Sequence, residues 1–187
     1  IHACARDIQP ALDALIHLIE EHQIATGEVD RVAVNTFSMA AAMDDVTPEN
    51  PSAARFSIPH ALASCLVLGA GHGEALSPAA LVDPQIRALA GRVTVRADHS
   101  LTARTPRERP AQVEITLKSG EIHRAEAELA WGEFDYEPVA DERLEEKFMG
   151  LTSGILGADR AAELMNLIRR IETVEDTGRI GLLSTPG

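Results

Sequence analysis

Residues 53–71 read AARFSIPHALASCLVLGAG, and this stretch decides how the chain folds. Ser57 stands at the position of a helix N-cap, and Pro59 fits the first turn of a helix, where a missing N–H is tolerated. The residues that follow are apolar on nearly every side, which predicts a buried helix over residues 59–68 that ends at a run of glycines. A buried helix needs other elements around it, so the neighbouring sequence must supply them.

Two kinds of periodicity surround this helix. Apolar residues recur at helical spacing after Asp7, which predicts a second helix over residues 8–22. Alternating apolar and polar residues predict four strands, at residues 31–37, 93–98, 113–118 and 122–131. We therefore expect an α+β fold, with a four-stranded, mostly antiparallel sheet covered on one face by the helices at 8–22 and 59–68.

The connecting segments carry shorter signals. A cap residue followed by proline predicts short helices at residues 78–82 and 84–90. Residues 39–52 are interpreted as a loop with one helical turn. Residues 99–111 are interpreted as a solvated loop with three arginines, one of which can meet an anion: Arg104, Arg107 and Arg109.

The character of the sequence changes after Gly132. An acidic, proline-containing linker precedes helices predicted at residues 141–151 and 159–174 and a short apolar segment at 180–183. We expect residues 1–131 to form the α+β domain, and residues 132–187 to be a linker and a helical return to a larger helical domain that this chain lacks. The start without methionine supports the expectation that the chain is a fragment.

Composition narrows the function classes. The chain of 187 residues has a formal net charge of −12. This negative net charge argues against a nucleic-acid or anionic-membrane partner, because both need a basic surface on the protein. Two cysteines make no disulfide framework, which indicates a reducing, cytoplasmic location. No apolar run approaches the ~20 residues of a membrane span.

Metal, nucleotide and thiol chemistry have weak support. The seven histidines show no metal-ligand spacing, so no metal is expected. The glycines after residue 68 close a helix rather than open one, so they are not a dinucleotide motif. Cys65 lies in the apolar run and is interpreted as a core residue. Cys4 lies near Arg6, which can stabilise a thiolate, but no nucleophile signature surrounds it.

Acid–base chemistry on a small carboxylate is the better candidate. Arg6, Ser57 and His60 each lie near the start of a helix, where anions are favoured. Arginine matches a carboxylate, and histidine can move a proton near neutral pH. Each residue also has a structural interpretation: a surface ion pair of Arg6 with a nearby aspartate, a plain cap at Ser57, and a hydrogen-bonded His60. Spacing alone favours these structural roles.

Four blocks resemble the MmgE/PrpD family. Residues 4–14, CARDIQPALDA, resemble its C-C-R-x-T-H-P-A-I-D-A block, and residues 55–63, RFSIPHALA, resemble A-x-F-S-L-P-Y-A-x-A. Residues 30–38 resemble its E-I-E-x-I-x-V-x-T-Y-S strand, and residues 132–148 resemble its G-x-x-x-x-P…K-F ending. The blocks occur in the family's order, so the resemblance covers essentially the whole chain.

The resemblance implies a cofactor-independent lyase or isomerase that acts beside a carboxylate of a small di- or tricarboxylic acid. Among the family's reactions, dehydration is the one we expect. The family includes 2-methylcitrate dehydratase, cis-aconitate decarboxylase and iminodisuccinate epimerase. It implies a lid-type α+β domain, a larger helical domain upstream, and a homodimer. The full-length protein would be an enzyme, whereas the fragment alone would be inactive.

The resemblance also implies a site. Arg6, Gln9 and Ser57 would bind substrate, and His60, which stands where the family has a tyrosine, is the candidate for the catalytic residue. Two residues depart from the family pattern, because Gln9 replaces a histidine and His60 replaces a tyrosine. Glutamine cannot carry a proton at pH 7, so either the proton-transfer role lies elsewhere, with His60 as candidate, or the substrate differs. The alternative is a non-catalytic α+β binding or dimerisation module.

Overall fold

The computed structural model describes residues 2–69, 73–130, 132 and 138–186. They form two compact units, one comprising His2–Pro138 and the other starting at Val139. The sequence analysis predicts that the α+β domain ends at residue 131 and that the linker and helical part begin at residue 132. The acidic linker expected after that point lies largely outside the described residues, because these leave out 133–137.

A four-stranded sheet forms the centre of the first unit. Its strands are β1 (Val29–Thr36), β2 (Val93–Ala97), β3 (Ala111–Leu117) and β4 (Ile122–Ala127). The spatial order is β2-β1-β3-β4, with β1 parallel to β2 and the other two pairings antiparallel. The predicted α+β class and the mostly antiparallel sheet are confirmed. The last strand was predicted to reach Trp131, but it ends at Ala127. Trp131 itself lies outside the described residues.

The two faces of the sheet differ in polarity, as the alternation predicts. Val32 lies in register with Val93 on one side and Ile115 on the other, and all three side chains are buried. On the opposite face Glu114 lies in register with Arg124, and both keep contact with solvent. The apolar face is therefore the one that the helices cover.

The helix α1 (Gln9–His22) covers β3 and β4. A 3-10 turn, Arg6–Ile8, leads into it, and Pro10 occupies its first turn. Its leucines at helical spacing are buried against the sheet, and the helix ends at Gln23, which adopts the left-handed conformation with φ 53°. The helix predicted over residues 8–22 is confirmed, with its first residue in the 3-10 turn.

The helix α4 (Ile58–Leu68) is the one predicted from the apolar run, and it starts one residue earlier than expected. Every residue from Ile58 to Leu66 is buried. Gly69 ends the helix at φ 78°, a conformation that favours glycine. Buried on all sides, α4 packs against α1 and β2.

The parallel pair β1–β2 needs a long crossover connection, and α4 lies within it. Two shorter helices complete this connection, α5 (Pro78–Val82) and α6 (Pro84–Ala90), at the predicted positions. Ser77 and Asp83 cap them through their side chains.

Three single-turn helices overlap the two segments interpreted as loops, of which residues 39–52 were expected to contain one helical turn. They are α2 (Ser38–Ala41), α3 (Pro51–Ala54) and α7 (His99–Thr102). Asn50 caps α3, and Asp98 caps α7 by accepting hydrogen bonds from two backbone N–H groups. A turn that is set by one cap residue has no apolar period to reveal it, which explains why α7 was not predicted.

The second unit contains α8 (Asp141–Leu156), α9 (Ala158–Ile168), a 3-10 turn (Ile171–Thr173) and α10 (Gly178–Leu183). Within it α9 packs against both α8 and α10. The helix predicted at 141–151 is longer than expected, and the one predicted at 159–174 is shorter. None of the helices in the described part of the chain is long and apolar enough to cross a membrane.

Candidate functional site

The two sequence blocks that carry the candidate site meet in space. Ala5 N–H donates a hydrogen bond to the carbonyl oxygen of Arg55 at 2.8 Å. This bond joins the turn before α1 to the segment between α3 and α4. Two blocks that are far apart in the chain therefore belong to one local structure, as the sequence hypothesis requires.

Arg6 is exposed and lies in the 3-10 turn that precedes α1. The two aspartates considered as its surface partners have other contacts. Asp7 accepts a hydrogen bond from Arg109 at 2.9 Å, and Asp13 lies 2.7 Å from Nε2 of His2. Among the four candidate residues Arg6 is the exposed one, whereas Gln9 is partly buried and Ser57 and His60 are buried.

Gln9 is the first residue of α1 and is partly buried. Its Nε2 donates to the carbonyl oxygen of Cys4 at 3.5 Å, a long hydrogen bond. This contact folds the residues of the first block back on themselves, so Gln9 shapes the turn that presents Arg6.

Ser57 is completely buried and caps α4. Its Oγ accepts a hydrogen bond from His60 N–H at 2.9 Å and donates one to the carbonyl oxygen of Asp45 at 2.5 Å. The hydroxyl therefore uses its only proton and one acceptor position within the chain.

His60 is also buried, with 3% of its surface exposed. Its Nε2 lies 2.7 Å from the carbonyl oxygen of Ala75 and 3.3 Å from Ser64 Oγ. Because a carbonyl oxygen only accepts hydrogen bonds, Nε2 carries the proton in this contact. His60 thereby joins α4 to the 3-10 turn Gly73–Leu76.

A small cavity lies between these elements. It measures about 10 Å³, and its lining includes Cys4, Leu12, His60 and Ala75. That volume is at the lower limit for a single water molecule. A di- or tricarboxylate does not fit there.

The cysteines differ in environment. Burial, with smaller contributions from Asp13 and Glu20, raises the pKa of Cys65 to about 12. The Cys65 thiol therefore stays protonated near neutral pH, in agreement with a core role. Cys4 is partly exposed and lines the small cavity.

The arginine-rich loop contains ion pairs that the sequence interpretation did not assign. Arg104 donates to Glu108 and Glu126, each at 2.5 Å, and lies 3.1 Å from Glu128. The hydrogen bond from Arg104, followed by the one from Gln112, lowers the pKa of Glu126. These carboxylates belong to the chain itself, so Arg104 is occupied by internal anions.

The pair His2–Asp13 was also not predicted. His2 is buried, and Asp13 is about one-sixth exposed. The only available signal was an aspartate on the first turns of a predicted helix, which does not reveal its partner. Among the described residues, no cluster of three or more histidine, cysteine, aspartate and glutamate side chains has a geometry that can hold a metal ion.

Comparisons with known proteins agree with the block pattern. A model of the MmgE/PrpD C-terminal domain matches residues 2–177. A comparison with curated proteins gives no match.

Proposed function

Because the chain belongs to the MmgE/PrpD family, we propose that it supplies the lid-type part of a lyase or isomerase for a small di- or tricarboxylic acid. Among dehydration, decarboxylation and epimerisation, we propose dehydration as the reaction. A base removes the proton alpha to a carboxylate, a double bond forms to the adjacent carbon, and the hydroxyl group on that carbon takes a proton from an acid and leaves as water. The family match over residues 2–177 is the observation that carries this proposal. It requires a polycarboxylate substrate and a larger helical domain, and we place the protein in the cytoplasm.

Arg6 is proposed to bind a carboxylate of the substrate. Its guanidinium offers a planar pair of donors that matches a carboxylate. Its exposed position before α1 supports this role, because helix N-termini favour anions. The bonds Ala5–Arg55 and Asp7–Arg109 hold the turn on either side of Arg6, which reduces the entropy lost when a ligand binds.

Gln9 and Ser57 are proposed as further substrate-binding residues, and His60 as the proton carrier. Their present contacts set a condition for these roles. Ser57 would have to release Asp45, and His60 would have to release Ala75, before either side chain could reach a ligand. Movement of the Gly73–Leu76 turn would free Nε2 of His60, so lid motion and proton transfer would be coupled.

A non-catalytic binding or dimerisation module is the second candidate. The contacts of Ser57 and His60 favour it, because both polar side chains serve the internal structure. Gln9 favours it as well, since the family histidine is absent at that position. In this case Arg6 would lie on a surface rather than at a reaction centre.

The decisive experiment is a set of dehydration, decarboxylation and epimerisation assays on small di- and tricarboxylates, with the full-length protein and no added cofactor. We expect turnover of at least one acid. Arg6→Ala should raise KM by about tenfold to a hundredfold, the value of one charged hydrogen bond. Arg31→Ala is the matched control, because Arg31 is exposed and forms its ion pair with the neighbouring residue Asp30.

Two outcomes would oppose the proposal. Silence across all assays with folded protein would favour the non-catalytic module. Turnover with an unchanged KM and kcat in Arg6→Ala would remove Arg6 from the site while leaving the family activity in place.

A further inference from the structure

The strand β4 lies at an edge of the sheet. It pairs with β3 along its length, and the order β2-β1-β3-β4 puts no described strand on its other side. An edge strand presents backbone N–H and C=O groups that a further strand can bind.

The bonds of β3 identify the direction of its backbone groups. Leu117 N–H donates to the carbonyl oxygen of Glu121 on the β4 side, at 2.8 Å. Lys118 N–H donates to the carbonyl oxygen of Glu28 on the β1 side, at 2.8 Å. Successive residues of a strand direct their backbone groups to opposite sides. Residues of β3 with odd numbers therefore bind β4.

The register then assigns the free edge of β4. His123 and Ala125 are opposite odd-numbered residues of β3, so their backbone groups bind within the sheet. The backbone groups of Ile122, Arg124 and Glu126 consequently point away from β3. The outer edge of β4 presents three residues, and two of them have opposite charges.

The side chains of Arg124 and Glu126 lie on the polar face of the sheet. Arg124 is in register with Glu114, and Glu126 with Gln112. The Arg124 side chain is 68% exposed and the Glu126 side chain 35% exposed. Both can therefore contact a further strand placed beside β4.

We propose that a second copy of this chain binds the β4 edge in one antiparallel register, with Ala125 opposite Ala125 of the second copy. This register places Arg124 opposite Glu126 of the second copy, and Glu126 opposite its Arg124. The same two residues carry the outward backbone groups, so each charge pair is also a hydrogen-bonded backbone pair. The result is a two-fold symmetric dimer with one continuous sheet.

Contacts within each chain extend this arrangement. Arg124 donates to Glu114 at 2.8 Å, and Arg104 donates to Glu126 at 2.5 Å. In the dimer, four charged side chains form a row across the contact: Arg104 and Glu126 of one copy, followed by Arg124 and Glu114 of the second copy. Their charges alternate in sign along this row. Alternation of this kind is favourable only in the proposed register, since a shift by two residues breaks it.

The opposite edge of the sheet offers no such match. The strand β2, Val93–Ala97, has Arg96 as its only charged residue. Two copies of β2 have no acidic side chain to place opposite Arg96. Self-association through β4 is therefore the pairing that the charges select.

Charge reversal tests this register. Sedimentation equilibrium of the full chain over a wide range of concentration should show a monomer–dimer equilibrium. Arg124→Glu and Glu126→Arg each place like charges opposite each other, so each should raise the dimer Kd by roughly tenfold or more. The double variant Arg124→Glu with Glu126→Arg should restore the dimer, and Arg96→Glu on β2 should have no effect.

The double variant isolates the contact between copies. Within one chain it leaves an acidic side chain at position 124 facing Glu114, and a basic side chain at position 126 facing Arg104, so internal pairing cannot explain its recovery. A wild-type chain that is monomeric at every concentration overturns the proposal and makes these charges a protection of the edge. A dimer that both single reversals leave unchanged overturns it as well, because another surface then forms the contact.

A cysteine cross-link provides a measurement that does not depend on the charges. Ala125 and its counterpart form a non-hydrogen-bonded pair, whose Cα atoms lie ~4.5 Å apart, within disulfide range. Ala125→Cys should give a covalent dimer under mild oxidation. Ala127→Cys, opposite His123 of the second copy, should not. Equal cross-linking of both variants would contradict the register.

Discussion

Arg109 Nε donates a hydrogen bond to Asp7 Oδ1 at 2.9 Å, although 102 positions separate the two residues. Arg109 lies just before β3, and its N–H donates to the carbonyl oxygen of Glu128. Asp7 belongs to the turn that carries Arg6. The ion pair therefore fixes the position of that turn relative to the sheet.

Loss of this pair should destabilise the fold moderately. Both side chains are about one-fifth exposed, so solvent screens the pair in part. We expect Arg109→Ala or Asp7→Ala to lower the free energy of unfolding by about 1 kcal/mol. A double-mutant cycle with urea denaturation measures the coupling. Arg31→Ala should change stability by less than about 0.5 kcal/mol, because the Arg31–Asp30 pair is far more exposed. Equal losses at both pairs would contradict the assigned role.

Ser57 should contribute more to stability than an ordinary cap. Ser57→Ala removes the cap of α4 and also leaves the carbonyl oxygen of Asp45 without this donor. We expect a loss of about 2 kcal/mol. Ser77→Ala, which removes the cap of the short helix α5, should cost about 1 kcal/mol or less. Thermal or urea unfolding of both variants gives the comparison, and a larger loss at Ser77 would oppose it.

His60 can be tested for its internal contact separately from chemistry. His60→Phe keeps an aromatic ring but leaves the carbonyl oxygen of Ala75 without its donor. The expected loss is about 2 kcal/mol in the free energy of unfolding. His60→Gln keeps a donor nitrogen on a side chain of similar reach, so it should recover part of this loss. If both variants match wild-type stability, the Ala75 contact is unimportant to the fold.

Cys65 should make stability fall at alkaline pH. Burial raises its pKa from the ordinary value of 9.0 to about 12 in the folded chain. Between these values the unfolded chain loses the thiol proton while the folded chain keeps it, so unfolding releases a proton. Stability is fully present below pH 9 and then declines by up to about 1.4 kcal/mol per pH unit. Cys65→Ala removes this contribution, so its stability should depend less on pH in that window. If the free energy of unfolding falls with pH equally steeply in the wild type and in Cys65→Ala, the Cys65 thiol does not cause the decline.

Alternation and capping account for the parts of the fold that the sequence predicted. Val32 and Val34 alternate with less buried residues in β1, and this fixes the covered face whatever the neighbouring strand is. Ser57 and Pro59 locate the start of α4 because both signals act within one helical turn. Local chemistry was sufficient at these positions.

The candidate site depended on contacts that are distant in sequence. The sequence indicated that His60 begins a buried helix, but not that Ala75 lies within 2.7 Å of its ring. Likewise, the partner of Arg109 is a residue near the other end of the domain. Such pairs follow from the way β3 and α1 pack together, which no periodicity of a single segment encodes.

The crossover between β1 and β2 has a consequence for the order of folding. Val32 meets Val93 only after the chain between them, including the buried α4, has come together. By contrast, β3 and β4 are joined by a short turn and can pair locally. Closing the longer loop loses more chain entropy before any contact is gained. Completion of the sheet on the β2 side should therefore be the slow step, with the hairpin already formed when α4 docks.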